Sequence, residues 1–135
     1  MPLITWSDNY SVKIAKFDNQ HKNLVNIIND MHSAMGSGKG KELLKPTLEK
    51  LIDYTVKHFA EEESEMKRTG YHSYTSHKFE HDKLTRTVKE LYSKINSGQT
   101  VLSMEVMNFL REWLTSHIVK VDKQYSDHLA AQGVK

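Results

Sequence analysis

Leu44-Lys45-Pro46-Thr47-Leu48-Glu49-Lys50-Leu51-Ile52-Asp53-Tyr54-Thr55-Val56-Lys57-His58-Phe59-Ala60-Glu61-Glu62 is the stretch whose reading decides the fold. Leu44, Leu48, Leu51, Thr55, His58 and Glu62 are spaced alternately by four and three, so they share one face of an α-helix. A bundle helix should keep that face apolar, yet it carries an imidazole and a carboxylate. At i and i+4 these two lie about 40° apart around the axis and about 6 Å along it, close enough to serve one site.

Three further segments repeat the spacing. The first runs Ile14, Phe17, His21, Leu24, Ile28, Met31, Met35. The third runs Tyr74, His77, His81, Leu84, Val88, Leu91, Ile95, and the fourth Met107, Leu110, Leu114, His117, Val121. Gly36, Gly70 and Gly98 each follow a stripe, where a helix end favours a left-handed residue, and Gly38 and Gly40 loosen the first connection. Asp18, Ser73 and Ser103 are candidate N-caps. Pro46 requires either that the second helix start close to it or that its first turns be irregular. Short connections imply antiparallel neighbours. The expected fold is all-α, an up-down-up-down antiparallel four-helix bundle forming a single domain over residues 1–135. An N-terminal arm, residues 1–13 with Trp6 and Tyr10, should pack on it. A short C-terminal helical extension should carry Tyr125, His128 and Leu129.

Composition narrows the class. A chain of 135 residues with 38% hydrophobic and 27% charged residues can bury a proper core as one domain. Nineteen basic against 17 acidic side chains, with no long run of one sign, give no nucleic-acid footprint. There is no cysteine, which excludes disulfides, Fe–S clusters and thiolate zinc sites. No apolar run approaches the ~18 residues of a membrane span. No basic segment leads into an apolar one near Met1, so the expected location is the cytoplasm.

Eight histidines are many for this length, and their places matter more than their number. The interruptions of the four stripes are His21, then His58 with Glu62, then His77 with His81, then His117 with Asp122. The last pair, five apart, would sit about 140° apart on an ideal helix. Its joint use calls for a π-type widening or a carboxylate reaching round. Five imidazoles and two carboxylates in a core are costly unless something satisfies them. Metal ions do, and this ligand set suits Fe, Mn, Zn or Cu rather than Ca or Mg. If Glu62, Asp122 and one solvent-derived oxygen each bridge two six-coordinate ions, and the imidazoles fill five more places, one of about twelve positions stays open. A small diatomic molecule fits there.

The residues Asp18-Asn19-Gln20-His21, His58-Phe59-Ala60-Glu61-Glu62, His77-Lys78-Phe79-Glu80-His81, and Trp113-Leu114-Thr115-Ser116-His117-Ile118 with Asp122 resemble the hemerythrins, most closely the single-domain bacterial ones. The resemblance spans nearly the whole chain. It implies two non-haem iron ions bridged by Glu62, Asp122 and an oxo or hydroxo group. His77, His81 and His117 would fill one iron, while His21 and His58 would hold the other, which keeps the open position. Leu24, Phe59, Trp113, Leu114 and Ile118 would line an apolar oxygen pocket. The implied function is reversible binding of molecular oxygen, for storage, delivery to an oxygen-consuming enzyme, or sensing, by a protein that is not itself an enzyme. A bundle of this size is expected to work as a monomer.

Plainer readings compete. Each histidine alone reads more readily as a hydrogen-bonded core residue, but seven such coincidences on the inner faces of four helices do not. Trp113, Leu114 and Phe59 need no pocket to explain them as core. Glu61 and Glu63 read as solvated charges, one of them a candidate to orient a ligand histidine, and whether Tyr125 reaches the site stays open. His32 falls about 16 Å along its helix from the cluster, and His72 and His128 read as surface residues. The alternative functions are a di-iron enzyme (peroxidase, oxidase or nitric-oxide-handling) and an iron store. Oxygen-activating bundles use Glu-rich sets with paired Glu-x-x-His motifs, which this chain lacks at the matching places. A store should exchange metal more freely than a closed, His-rich site does.

Overall fold

The computed structural model describes residues 3–36, 40–98 and 104–135, with backbone alone for 40–44 and 104–106. Four long helices form, α1 (Ala15–Gly36), α2 (Gly40–Arg68), α3 (Tyr74–Asn96) and α4 (Met104–Lys120), followed by a short α5 (Ser126–Ala131). Two 3₁₀ turns flank them, Asp8–Tyr10 in the arm and Asp122–Tyr125 after α4. The result is an all-α four-helix bundle. Residue pairing shows the helix directions. Gln20 reaches His58 and Glu61 while Asn23 reaches Tyr54, so α1 and α2 run antiparallel. Glu63 meets His81 and Glu49 meets Tyr92, so α2 and α3 do too.

The stripes read from the sequence become the core. Phe17, Leu24, Ile28, Met31, Leu48, Leu51, Met107 and Leu110 are all within 1% of complete burial. Burying a side chain of this size contributes about 1.5–3 kcal/mol. The third stripe is shallower: Tyr74, Leu84, Leu91 and Ile95 are only half-buried. A cleft of about 440 Å³, lined by Leu84, Phe109, Glu112 and Trp113 among others, opens between α3 and α4.

Turn chemistry needs three corrections. Gly70 and Gly98 adopt positive φ, +69° and +80°, as expected at helix ends, whereas Gly36 is the last residue of α1 itself. Asp18 does not cap α1, which begins three residues earlier. Its carboxylate instead accepts from Ser11 Oγ (2.7 Å) and the Val12 N–H (2.8 Å), tying the arm to the first helical turn. Ser73 holds the N-cap position of α3, but its side chain makes no capping bond. Ser103 and Gly38 lie outside the described residues. Pro46 stands inside α2, six residues past its start, beyond the first four positions where a missing N–H is free of cost.

Arm and tail both dock. Asn29 brackets Ile4 with two hydrogen bonds of 2.8 Å, and Trp6 stacks obliquely on Tyr10 under the Lys22 ammonium. In the tail, Tyr125 and Leu129 are fully buried. His128, expected at the surface, is half-buried and sits 3.1 Å from the Thr69 carbonyl oxygen. No helix among the described residues is long and apolar enough to cross a membrane.

Candidate metal centre

Each long helix brings its interruption to one level of the bundle. His21 comes from α1, His58 and Glu62 from α2, His77 and His81 from α3, and His117 from α4. Asp122 opens the 3₁₀ turn beyond α4. All seven are buried, with Glu62 and Asp122 at 0% exposure. Their ligand atoms form two overlapping groups, each within a span of 4.8 Å. One contains His77, His81 and His117, the other His21 and His58, and both contain Glu62 and Asp122.

The carboxylates divide their oxygens between the two groups. Glu62 Oε2 lies 3.4 Å from both His21 Nε2 and His58 Nε2, while Oε1 lies 3.1 Å from His81 Nε2. Asp122 Oδ2 lies 3.1 Å from His21 Nε2, and Oδ1 lies 3.0 Å from both His77 and His117. Each acid therefore offers one oxygen to each half.

The awkward spacing of His117 and Asp122 is resolved by neither route expected from the sequence. The α-helix ends at Lys120, Val121 N–H still bonds the His117 carbonyl (2.9 Å), and Asp122 begins a tighter 3₁₀ turn. Abandoning the α-helical period one residue before Asp122 returns its carboxylate to the core side.

A metal pair fits this donor set on the polar atoms themselves. Nε2 of His21, His58 and His117, Oε1 of Glu62 and both oxygens of Asp122 are buried with no hydrogen-bond partner. The Nε2 atoms of His77 and His81 crowd to 3.0 Å. Leaving so many buried polar atoms unsatisfied would cost several kcal/mol each in an ordinary core. Without metal, protons take up part of the role. Burial alone would lower His21, but Asp122 and Glu62 outweigh it and push it up to about 10. The same contest, with Glu62 and Glu63 opposing burial, pushes His81 up to about 9. Burial would raise both acids, and Glu62 raises Asp122 further. The imidazoles prevail and hold both well below the usual carboxylate range, His58, His21 and His81 acting on Glu62, and His117 and His21 on Asp122.

Supporting groups differ from ring to ring. Glu63, read from sequence as solvated or orienting, is half-buried and 2.8 Å from His81 Nδ1. His58 Nδ1 is 2.5 Å from Gln20 Oε1, and Gln20 Nε2 donates in turn to the exposed Glu61. The sequence pointed to the glutamates but not to Gln20. Only the contact between α1 and α2 connects that residue to the site. Tyr125 does reach the cluster, donating its hydroxyl to Glu62. Burial first, then the two carboxylates, push its pKa well above the usual tyrosine value.

Beside His21 and His58 lies a narrow void, too small to admit a water molecule, lined by Leu24, Phe59, Trp113 and Leu114 together with His117 and Asp122. Ile118, expected in the same wall, is buried but not on it. On the other side the Phe59 ring stacks flat on His81, centroids 3.7 Å apart and planes within 3°. His32 is half-buried and His72 exposed, and neither joins either group.

Comparison with known proteins agrees with this geometry. Residues 12–129 match the family model for the Hemerythrin HHE cation binding domain. The chain is 38% identical over 132 residues to a bacteriohemerythrin from Methylococcus capsulatus, covering 97% of this chain and all of that one. It is 30% identical over 124 residues to a myohemerythrin from Theromyzon tessulatum, covering 92% of each. A crystal structure of wild-type hemerythrin superposes with a TM-score of 0.89 at 36% identity, covering 95% of this chain and 98% of that one.

Proposed function

The chain belongs to the hemerythrin family, and from that premise we propose that its buried cluster is a di-iron centre at which it binds molecular oxygen reversibly. In this reading His77, His81 and His117 would hold one iron and His21 and His58 the other, and Glu62 and Asp122, each with one oxygen toward each group, would be shared between them. The carrying observation is the pair of overlapping ligand groups that share the two carboxylates and no imidazole.

When bound, the two ferrous ions supply the electrons and the open coordination position that oxygen requires. The protein does the rest. The five imidazoles would be neutral ligands, and the two carboxylates with a solvent-derived hydroxide would bring three negative charges, so only one of four positive charges would remain uncompensated inside a core that cannot hydrate it. Leu24, Phe59, Trp113 and Leu114 exclude water from the space over His21 and His58, and none of them carries an acidic proton. Water and acid are what would strand such a site in its oxidised form. Glu63 fixes the tautomer and direction of His81, and Gln20 those of His58.

The same reading takes residues 1–135 as one hemerythrin-like domain. It works as a cytoplasmic monomer that stores oxygen or delivers it to an oxygen-consuming enzyme. The seven groups of the cluster form a complete set without a second copy of the chain. Light scattering after size exclusion tests the monomer.

The deciding experiment is an anaerobic visible spectrum of the iron-loaded, dithionite-reduced protein, followed by air and then argon. A colourless start, a band that grows in air and bleaches under argon, and two irons per chain are expected. A band that never forms, or one that argon cannot reverse, overturns reversible oxygen binding.

A further inference from the structure

Among the buried residues outside the seven-residue cluster, Tyr125 gives its hydroxyl to one of the cluster's carboxylates. Tyr125 is completely buried, and its ring is held by stacking on His77 (5.5 Å, 26°) and by an edge contact with Phe17 (5.7 Å). Packing alone would be served as well by phenylalanine. The hydroxyl instead donates to Glu62 Oε2, and the choice of oxygen is informative. Oε2 is the atom facing His21 and His58, 3.4 Å from each, whereas Oε1 faces His81 and receives no hydrogen bond. Donation is therefore one-sided, toward the half of the cluster beneath the void.

The local backbone explains how the hydroxyl gets there. Asp122 and Tyr125 are the first and last residues of a 3₁₀ turn. Residues i and i+3 eclipse one another in that geometry, whereas an α-helix would rotate them about 60° apart. One tight turn thus delivers a carboxylate and, directly above it, the donor that grips the other carboxylate.

We propose that Tyr125 is a positioning residue of the iron pair. Its O–H fixes Glu62 and draws charge from Oε2, so that the iron held by His21 and His58 faces a weaker anionic donor than its neighbour. A less donating carboxylate favours the ferrous over the ferric state. Tyr125 thereby holds electrons on the oxygen-binding half until oxygen arrives, and slows their loss. This inference rests on the ligand assignment above.

The test compares iron content, midpoint potential by spectroelectrochemistry, and the rate of irreversible oxidation in air, for the wild-type protein and three variants. Tyr125→Phe should still bind two irons, shift the potential downward, and oxidise irreversibly on the order of tenfold faster, the size of one charge-assisted hydrogen bond. Site-specific 3-fluorotyrosine at position 125, a more acidic phenol of nearly the same shape, should shift the potential upward. Tyr71→Phe removes a buried hydroxyl whose ring packs on His72 and His128 instead, and should leave the potential unchanged. An unchanged potential in Tyr125→Phe with two irons bound, or an equal shift in Tyr71→Phe, overturns the proposal. If Tyr125→Phe fails to load, the sign of the fluorotyrosine shift decides. A wild-type protein that does not bind two irons overturns the ligand assignment and this inference with it.

Discussion

The two halves of the cluster are built from the same chemistry and lined differently. Around His77 and His81 aromatic rings and a carboxylate support the imidazoles, while His117 also borders the cleft between α3 and α4. Phe59 lies flat on His81, Tyr125 stacks on His77, and Glu63 grips the far nitrogen of His81. Beside His21 and His58 the lining is a narrow apolar void walled by Leu24, Phe59, Trp113 and Leu114. Aliphatic groups such as Leu24 and Leu114 suit a small apolar ligand. In the proposed reading one half anchors and the other half exchanges.

The largest break in this comparison comes from a shared bridge. Glu62→Ala takes a donor from both halves and leaves buried imidazoles without their counter-charge, so iron content should fall from two per chain to nearly none. His58→Ala should abolish paired binding while leaving at most one ion in the other half. Metal analysis after desalting checks both, and either variant keeping two irons with normal oxygen binding would remove that residue from the ligand set. The next two substitutions touch one half each. Glu63→Gln weakens the carboxylate on His81 and should lower metal affinity on the order of tenfold, as losses around ligand histidines do. Competition with a chelator measures it. Leu114→Tyr places a hydroxyl in the wall of the void. It should speed autoxidation on the order of tenfold, about 1.4 kcal/mol off the barrier, with affinity for the metal intact. Unchanged kinetics in stopped flow would take Leu114 out of the working wall.

The smallest effect concerns the iron-free protein. His21 and His81 are raised to about 10 and about 9 from an unfolded value of 6.5. A raised histidine stabilises the fold fully below its unfolded pKa and loses that contribution as pH climbs through its folded one. The melting temperature of iron-free protein should therefore fall as pH rises from about 6.5 to about 10. In the loaded protein metal replaces those protons, and the slope should vanish. An equal slope in both forms would mean that the histidines do not change partners on loading.

Much of this was legible in the chain itself. The alternation of three and four placed His21, His58, Glu62, His77, His81 and His117 on the inner faces of four helices, because helical period is a local property that spacing records. The ligand types, with cysteine absent, narrowed the metal chemistry before any coordinate. Asp122 was legible as a ligand but not as a geometry. The helix had to stop, and whether a helix continues past Lys120 depends on what the tail packs against. Asp18 was misplaced as a cap for the same reason, since its partners lie in the arm.

Sequence therefore determined the bundle, the residues that gather into the polar cluster and the kind of ion such a set suits, which follow, Asp122 apart, from side-chain type at helical spacing. Tertiary structure alone decided which carboxylate oxygen faces which imidazole, that Gln20 and Tyr125 reach the cluster while Ile118 stays off the pocket wall, and where the void lies. Those are distances between residues remote in the chain, set by how four helices settle against one another, and no local pattern encodes them.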